Sequence, residues 1–385
     1  MPESLTPELV EVRDRVRAFI DRELRPLEAT LGGGLDGPVP ADVRRQVRER
    51  SQALGFFGMT RPVEFGGTAA GPLAMVVGRE TFAAANSPLT RFVFGPEPGL
   101  LQAAEGQLRE RYLEPLLRGE KTGAWAFTEP NVSGISDRPT WAKRDGETLL
   151  VTGRKSYVSG GATADFYTVL INVEKDDRNP GGTAIVVIDR ETSGLTIDRT
   201  FHTMDGGDHV SLRFEAVRVP LTHVIGGIGE GMGRALGNIS EERIALAADA
   251  TGIALWTIDY VTQHITAPHR SGIRLGDREG VRLRYVDMRI ETYAARAMLY
   301  RTARLADAGE DVMNEVMATK VFCTEMVGRV VDLAIQLIGG EALITGHTLE
   351  RLYRRVRSLR LGGGASDILR MNVSRGIIEF GVGRL

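Results

Sequence analysis

Trp125-Ala126-Phe127-Thr128-Glu129-Pro130 and, further on, Gly153-Arg154-Lys155-Ser156-Tyr157-Val158-Ser159-Gly160-Gly161 are two short runs of β-forming residues, each reaching a hydroxyl side chain. Runs of this kind read as strand ends, where Thr and Ser are common. Their surroundings make them decisive. Upstream, from Pro7 to about Phe57 and from Pro72 to Arg118, apolar residues recur at helical spacing, as in Leu9, Val12, Val16, Phe19 and Ile20. After Gly119 the pattern becomes short β-branched and aromatic runs at 124–128, 148–152, 155–159, 166–173, 183–189 and 209–219. Polar turns such as Arg144-Asp145-Gly146-Glu147 and Asn179-Pro180-Gly181-Gly182 separate them. From Met232 to Gly381 helical periodicity returns, broken at His269–Gly280 and Ile338–Thr348. The expectation is an α+β chain of three domains. These are an all-α domain at 1–122, a β-barrel or sandwich at 123–228 and a C-terminal four-helix-bundle domain at 229–385.

Composition narrows the function classes. A chain of 385 residues is long enough to bury several packed layers without covalent staples. One cysteine, Cys323, excludes an internal disulfide and points to a reducing compartment. A net charge of -2 with interspersed signs gives no basic patch for nucleic acid. No uninterrupted apolar run reaches the roughly 18 residues of a membrane helix, and Met1-Pro2-Glu3-Ser4 opens on an acid where a signal peptide carries bases. A cytoplasmic protein without nucleic-acid or membrane partners is expected. His202 and His209 flank Gly206-Gly207, but no Cys or His cluster stands at metal-ligand spacing, so no metal is expected.

The two hydroxyl-ended runs closely resemble the flavin-contacting strands of the acyl-CoA dehydrogenase family. The order all-α, all-β, all-α matches that family over nearly the whole chain, and Pro62-Val63-Glu64-Phe65-Gly66-Gly67 is similar to a turn of its N-terminal domain. The resemblance implies FAD as cofactor. It places Phe127, Thr128, Tyr157, Val158 and Ser159 around the flavin ring, with Ser159 keeping a hydroxyl near N5, and Ser136 at the pyrophosphate. It assigns Arg270, Ile273, Gln336, Gly339, Gly340 and Asp367 to the FAD of a neighbouring subunit, which implies a homodimer or homotetramer. Several of these positions depart from the family pattern. Ile273 stands where an aromatic is usual, Asp367 where a Gln or Glu is, and the segment Asn131 to Ile135 is part of a loop two residues longer than the usual motif.

Desaturating a thioester needs a base for the α-proton while the flavin accepts the β-hydride. Many relatives carry that base in a C-terminal loop. Here the loop reads Leu361-Gly362-Gly363-Gly364-Ala365-Ser366-Asp367, with Gly363 at the base position, so no carboxylate is available. A minority, including the isovaleryl-CoA and long-chain enzymes, carry the base on a helix in a Glu-Arg pair, which Glu242-Arg243 matches. Helical spacing sets Glu242 on a stripe with Ile239, Leu246 and Ile253, so it is expected to point inward among apolar neighbours. Arg243 reads as a positioning residue, and Gly363 keeps a backbone amide able to hold the thioester oxygen. The function implied is FAD-dependent dehydrogenation of an acyl-CoA, with electrons leaving to an electron-transfer flavoprotein. A flavin monooxygenase or oxidase on the same scaffold, or a subunit of a hetero-oligomer with an incomplete flavin site, are the alternatives.

Overall fold

The computed structural model describes residues 5–31, 39–130 and 140–385. The chain divides into two compact units, Met1–Gly95 with Ser240–Leu385, and Pro96–Ile239.

In the helical unit, the apolar spacing of the N-terminal segment forms α1 (Pro7–Phe19), which starts on a proline that needs no N–H partner and runs through a π-turn at Ile20–Leu24 into α2 (Arg25–Ala29). α3 (Ala41–Ala53) and α4 (Pro72–Ala83) follow. Val16, Phe19, Phe56 and Phe82 make a small core in which the rings of Phe19, Phe56 and Phe82 meet edge-on or tilted at 5.3–6.0 Å. The C-terminal part supplies α7 (Gly231–Thr266) from Ser240 onward, α8 (Glu279–Asp307) and α9 (Met313–Ile338), then α10 (Thr348–Leu359) and α11 (Ser366–Phe380). One large cluster, including Ala247, Ile253, Leu299, Met326 and Val330, forms their common core. By length and composition α7 would suffice to cross a membrane, but 61% of its most apolar window is buried, as in a core helix.

Two devices lock α4 into this bundle. A side chain at Gly252 of α7 would come within 2.3 Å of the Glu80 carbonyl oxygen and 2.6 Å of Ala83, so only glycine allows this crossing. Nearby, Arg296 of α8 donates two 2.7 Å hydrogen bonds to the Glu80 carboxylate and the Tyr300 hydroxyl adds a third of 2.7 Å. These groups are buried, and the pairing satisfies charges that would be costly alone.

The β unit opens with the short helices α5 (Gly106–Leu108) and α6 (Glu114–Arg118), joined by a π-turn at Arg109–Leu113. Its sheet contains β1 (Gly123–Ala126), β2 (Trp141–Asp145), β3 (Thr148–Ser159), β4 (Phe166–Val173), β5 (Gly182–Asp189), β6 (Leu195–His202), β7 (Asp208–Pro220) and β8 (Val224–Ile225). The strand order is β6-β7-β3-β2-β4-β5-β8, with β1 parallel to the first half of β4. β4, Phe-Tyr-Thr-Val-Leu-Ile-Asn-Val, is buried at every position, as a continuous apolar run predicts for a central strand.

The helical, sheet, helical order is the expected one. Sequence patterning did not separate β2, β6 or β8. β6 is a charged, largely exposed edge strand, and β2 ends Lys-Arg-Asp, so neither shows the buried alternation that identifies strands. The runs at 148–152 and 155–159 are one strand, β3, carried past Gly153 by register shifts against β7.

Candidate active site

In the β unit the two hydroxyl-ended runs lie side by side. The Ser156 N–H donates to the Thr128 carbonyl at 2.8 Å, tying the segment after β1 to β3. Beneath this contact sits a buried ion pair. Lys155, with no solvent exposure, pairs with Glu129 and also donates to the Phe127 carbonyl at 3.1 Å, while the Thr140 hydroxyl donates to Glu129 at 2.8 Å. The pair draws both strands onto one anchor.

Between Lys155 and Val158 the β3–β7 register shifts, and Tyr157 takes φ +54°, a left-handed conformation that strains a residue with a Cβ. The bulge re-aims the side chains. Val158 is buried in the sheet core, so its side chain is withdrawn from the surface, whereas Tyr157, Thr128 and Ser159 are exposed and Phe127 is half-buried. Tyr157 meets Phe201 edge-on at 5.4 Å, Phe201 stacks on His209 at 5.8 Å, and Ser159 Oγ lies 3.2 Å from His209 Nδ1. Exposed hydroxyls beside aromatic faces on a rigid sheet provide the donors and flat contacts that a flavin ring requires. The predicted Ser136 lies outside the described residues.

In the helical unit Glu242 and Arg243 occupy adjacent positions of α7 with opposite surroundings. Glu242 is exposed, which corrects the expectation that it points into the apolar interior. The buried face at this turn is instead Arg243, Ile244 and Ala247, about one residue around the helix from the stripe drawn through Glu242. Neighbouring protein nevertheless crowds Glu242. Desolvation raises its pKa above the ordinary carboxylate value, against the opposing pull of the Arg243, Lys320 and Arg79 cations.

Arg243 runs inward and its Nε donates to the Gly363 carbonyl at 2.9 Å. Lys320 of α9, wholly buried, donates from Nζ to the Gly364 carbonyl at 2.8 Å. Desolvation and Arg243 push the Lys320 pKa down to about 8. Gly363 and Gly364 adopt φ of +63° and +107°, and a Cβ on Gly363 would stand 3.0 Å from Leu246 of α7. The loop therefore packs against the turn of α7 that carries the Glu-Arg pair, with Arg243 and Gly363 in direct contact.

The remaining predicted residues sit at exposed helix junctions of the helical unit. Arg270 and Ile273 are exposed in the turn after α7. Gln336 is exposed near the end of α9, where Gly339 caps the helix at φ +88° and Gly340 begins a 3-10 turn. Asp367 is exposed in the first turn of α11, with its carboxylate 3.8 Å from Arg370. Sequence reading passed over Lys320, although a lysine inside Met317-Ala318-Thr319-Lys320-Val321-Phe322-Cys323 is the signal of a buried cation. It also passed over His209 and the Glu129–Lys155 pair as site builders.

Comparison with known proteins gives a consistent result along the chain. Residues 6–120, 124–217 and 229–378 match, in turn, the family profiles "Acyl-CoA dehydrogenase, N-terminal domain", "middle domain" and "C-terminal domain". The acryloyl-CoA reductase (NADH) of Anaerotignum propionicum is 29% identical over 385 residues, covering 98% of this chain and 96% of that protein. A caffeyl-CoA reductase-Etf complex subunit of Acetobacterium woodii is 25% identical over 338 residues, covering 86% and 89%. The crystal structure of a probable acyl-CoA dehydrogenase from Mycobacterium abscessus superimposes with a TM-score of 0.82 at 27% identity, covering 97% of this chain and 99% of that one.

Proposed function

We propose, because the chain belongs to the acyl-CoA dehydrogenase family, whose members are oxidoreductases acting on acyl-CoA, that it catalyses FAD-dependent α,β-dehydrogenation of an acyl-CoA thioester with Glu242 as the α-proton base. The observation that carries this reading is the pairing of a loop without a carboxylate, at Gly363, with a crowded carboxylate of raised pKa on the adjoining turn of α7. A raised pKa makes Glu242 a better proton acceptor than an ordinary surface glutamate.

FAD, when bound, supplies the two-electron acceptor for the β-hydride. Thr128, Tyr157 and Ser159, exposed at the ends of the two runs, would hold the ring. Glu242 takes the α-proton, leaving a carbon–carbon double bond between the α and β positions. Arg243 holds the glycine loop through the Gly363 carbonyl, and a loop amide polarises the thioester oxygen so that the α-proton is acidic.

Electrons leave to an electron-transfer flavoprotein, a partner in keeping with the Etf complex named for the Acetobacterium relative. Self-association completes the flavin site, with Arg270, Gln336, Gly339 and Gly340 serving a neighbour's FAD. The protein acts in the cytoplasm. The Anaerotignum relative's name adds a second direction, reduction of a 2-enoyl thioester, in which protonated Glu242 returns the proton.

The test is anaerobic mixing of the yellow, FAD-loaded protein with a panel of acyl-CoAs. Bleaching of the flavin absorbance is expected, with Glu242→Gln slowing it at least about a hundredfold. A variant that bleaches at the wild-type rate removes Glu242 from the chemistry. Recovery of colour on adding 2-enoyl-CoA to the dithionite-reduced protein identifies the reductive direction.

A further inference from the structure

Two buried cations end on two consecutive carbonyls of one short turn. Arg243 Nε holds the Gly363 oxygen at 2.9 Å and Lys320 Nζ holds the Gly364 oxygen at 2.8 Å. A planar trans peptide points its N–H opposite to its C=O. Fixing the carbonyls of Gly363 and Gly364 toward the cations therefore turns the N–H groups of Gly364 and Ala365 the other way. Among the described residues neither N–H has an acceptor. The turn is closed from its far side, where the Ser366 N–H donates to the Arg360 carbonyl at 3.0 Å, and its positive φ values are open only to glycine without strain.

We propose that Lys320 is a positioning residue of the reaction: with Arg243 it holds the Gly363–Ala365 turn by its carbonyls, so that the turn's backbone N–H groups, that of Gly363 among them, are preset as donors for the thioester carbonyl oxygen. This rests on the acyl-CoA reading above. The role explains a feature that packing does not. An apolar side chain of similar volume would fill the same wholly buried place without the cost of desolvating an ammonium group. What the cation adds is electrostatic. Glu242 and Arg243 face it from α7, Glu325 from its own helix, and Glu325 is itself engaged by Arg370 at 2.7 Å and by Arg360 at 3.8 Å. Positive charge behind the carbonyls reinforces the N–H dipoles in front, where the thioester oxygen gains negative charge as the α-proton leaves.

The experiment uses the FAD-loaded enzyme and crotonyl-CoA carrying 13C at the thioester carbonyl, whose infrared stretch falls when the oxygen accepts hydrogen bonds. In the wild type the stretch is expected below that of free crotonyl-CoA. In Lys320→Met it returns most of the way to the free value, with kcat down at least about tenfold, KM changed less than about threefold and FAD content retained. Lys320→Arg recovers part of both. Should Lys320→Met not fold, the wild-type stretch measured from pH 7 to 9.5 decides, since loss of the ammonium charge relaxes it toward the free value; a stretch constant over that range overturns the role. A Lys320→Met variant with the wild-type stretch and rate overturns it too, while the acyl-CoA reading stands. If no acyl-CoA bleaches the wild type and crotonyl-CoA shows no shift, the reading itself falls and this role with it.

Discussion

At the scale of single residues, the site is governed by what burial does to charge. The Glu242 pKa is raised chiefly by desolvation, so the protonated form, which is inactive in the proposed role of base, persists above the ordinary glutamate range. The acid limb of kcat/KM is therefore expected above the ordinary glutamate range, and an Arg243→Gln variant, which removes the largest opposing cation, should shift that limb further up. A pH–rate profile locates it. Lys320 shifts in the opposite sense, from 10.5 to about 8 in the folded protein. The unfolded chain then binds more protons between those values, so this group adds stability as pH rises from about 8 toward about 10.5 and adds none below. Urea midpoints at pH 7.5 and 9.5 should show the wild type gaining about 2 kcal/mol more than Lys320→Met. An equal change in both proteins would show that the lysine is charged in neither or both states.

Elements are joined here by a few buried polar ties and close crossings, and each gives a stability prediction. Removing one partner of the Glu129–Lys155 pair leaves an uncompensated buried charge, so Glu129→Ala should cost about 3–5 kcal/mol. Its FAD affinity should fall as well, because Phe127 and Thr128 lose their anchor to β3. Replacing both partners, as Glu129→Leu with Lys155→Met, should recover most of the stability. A double variant as unstable as the single one would assign the loss to packing. The α4–α7 crossing is stricter: Gly252→Val forces a side chain into the Glu80 carbonyl and Ala83, for an expected loss of about 1–3 kcal/mol or more in thermal or urea melts.

At the scale of the whole molecule, α8 presents Leu283, Val286, Ile290 and Tyr293 to solvent at spacings of three and four residues, and α11 adds Ile368, Met371 and Ile378. Apolar stripes of this kind mark association surfaces, and the proposed sharing of Arg270 and Gln336 with a neighbour's FAD calls for one. Ile290→Glu together with Tyr293→Glu is expected to shift the sedimentation coefficient to that of a 42.0 kDa monomer and to lower FAD content in parallel. Monomeric protein that keeps its full complement of flavin would show that one chain suffices for the cofactor.

Local pattern in the sequence determined the order of helical, β and helical segments, the central strand β4 and the hydroxyl-bearing runs, because each is written in neighbouring residues with a clear period. The absence of a loop carboxylate at Gly363 and the presence of Glu242 were equally legible, since both follow from residue identity alone. Exposed or polar strands such as β6 were not legible, because strands announce themselves through burial and these have little. Tertiary structure alone decided that Glu242 faces outward while its neighbour Arg243 turns inward, for a helix face becomes inner or outer only when other helices pack on it. It alone brought Lys320, far along the chain, to the carbonyl of Gly364. Desolvation, which raises one pKa and lowers the other, depends on atoms that the chain brings near only by folding.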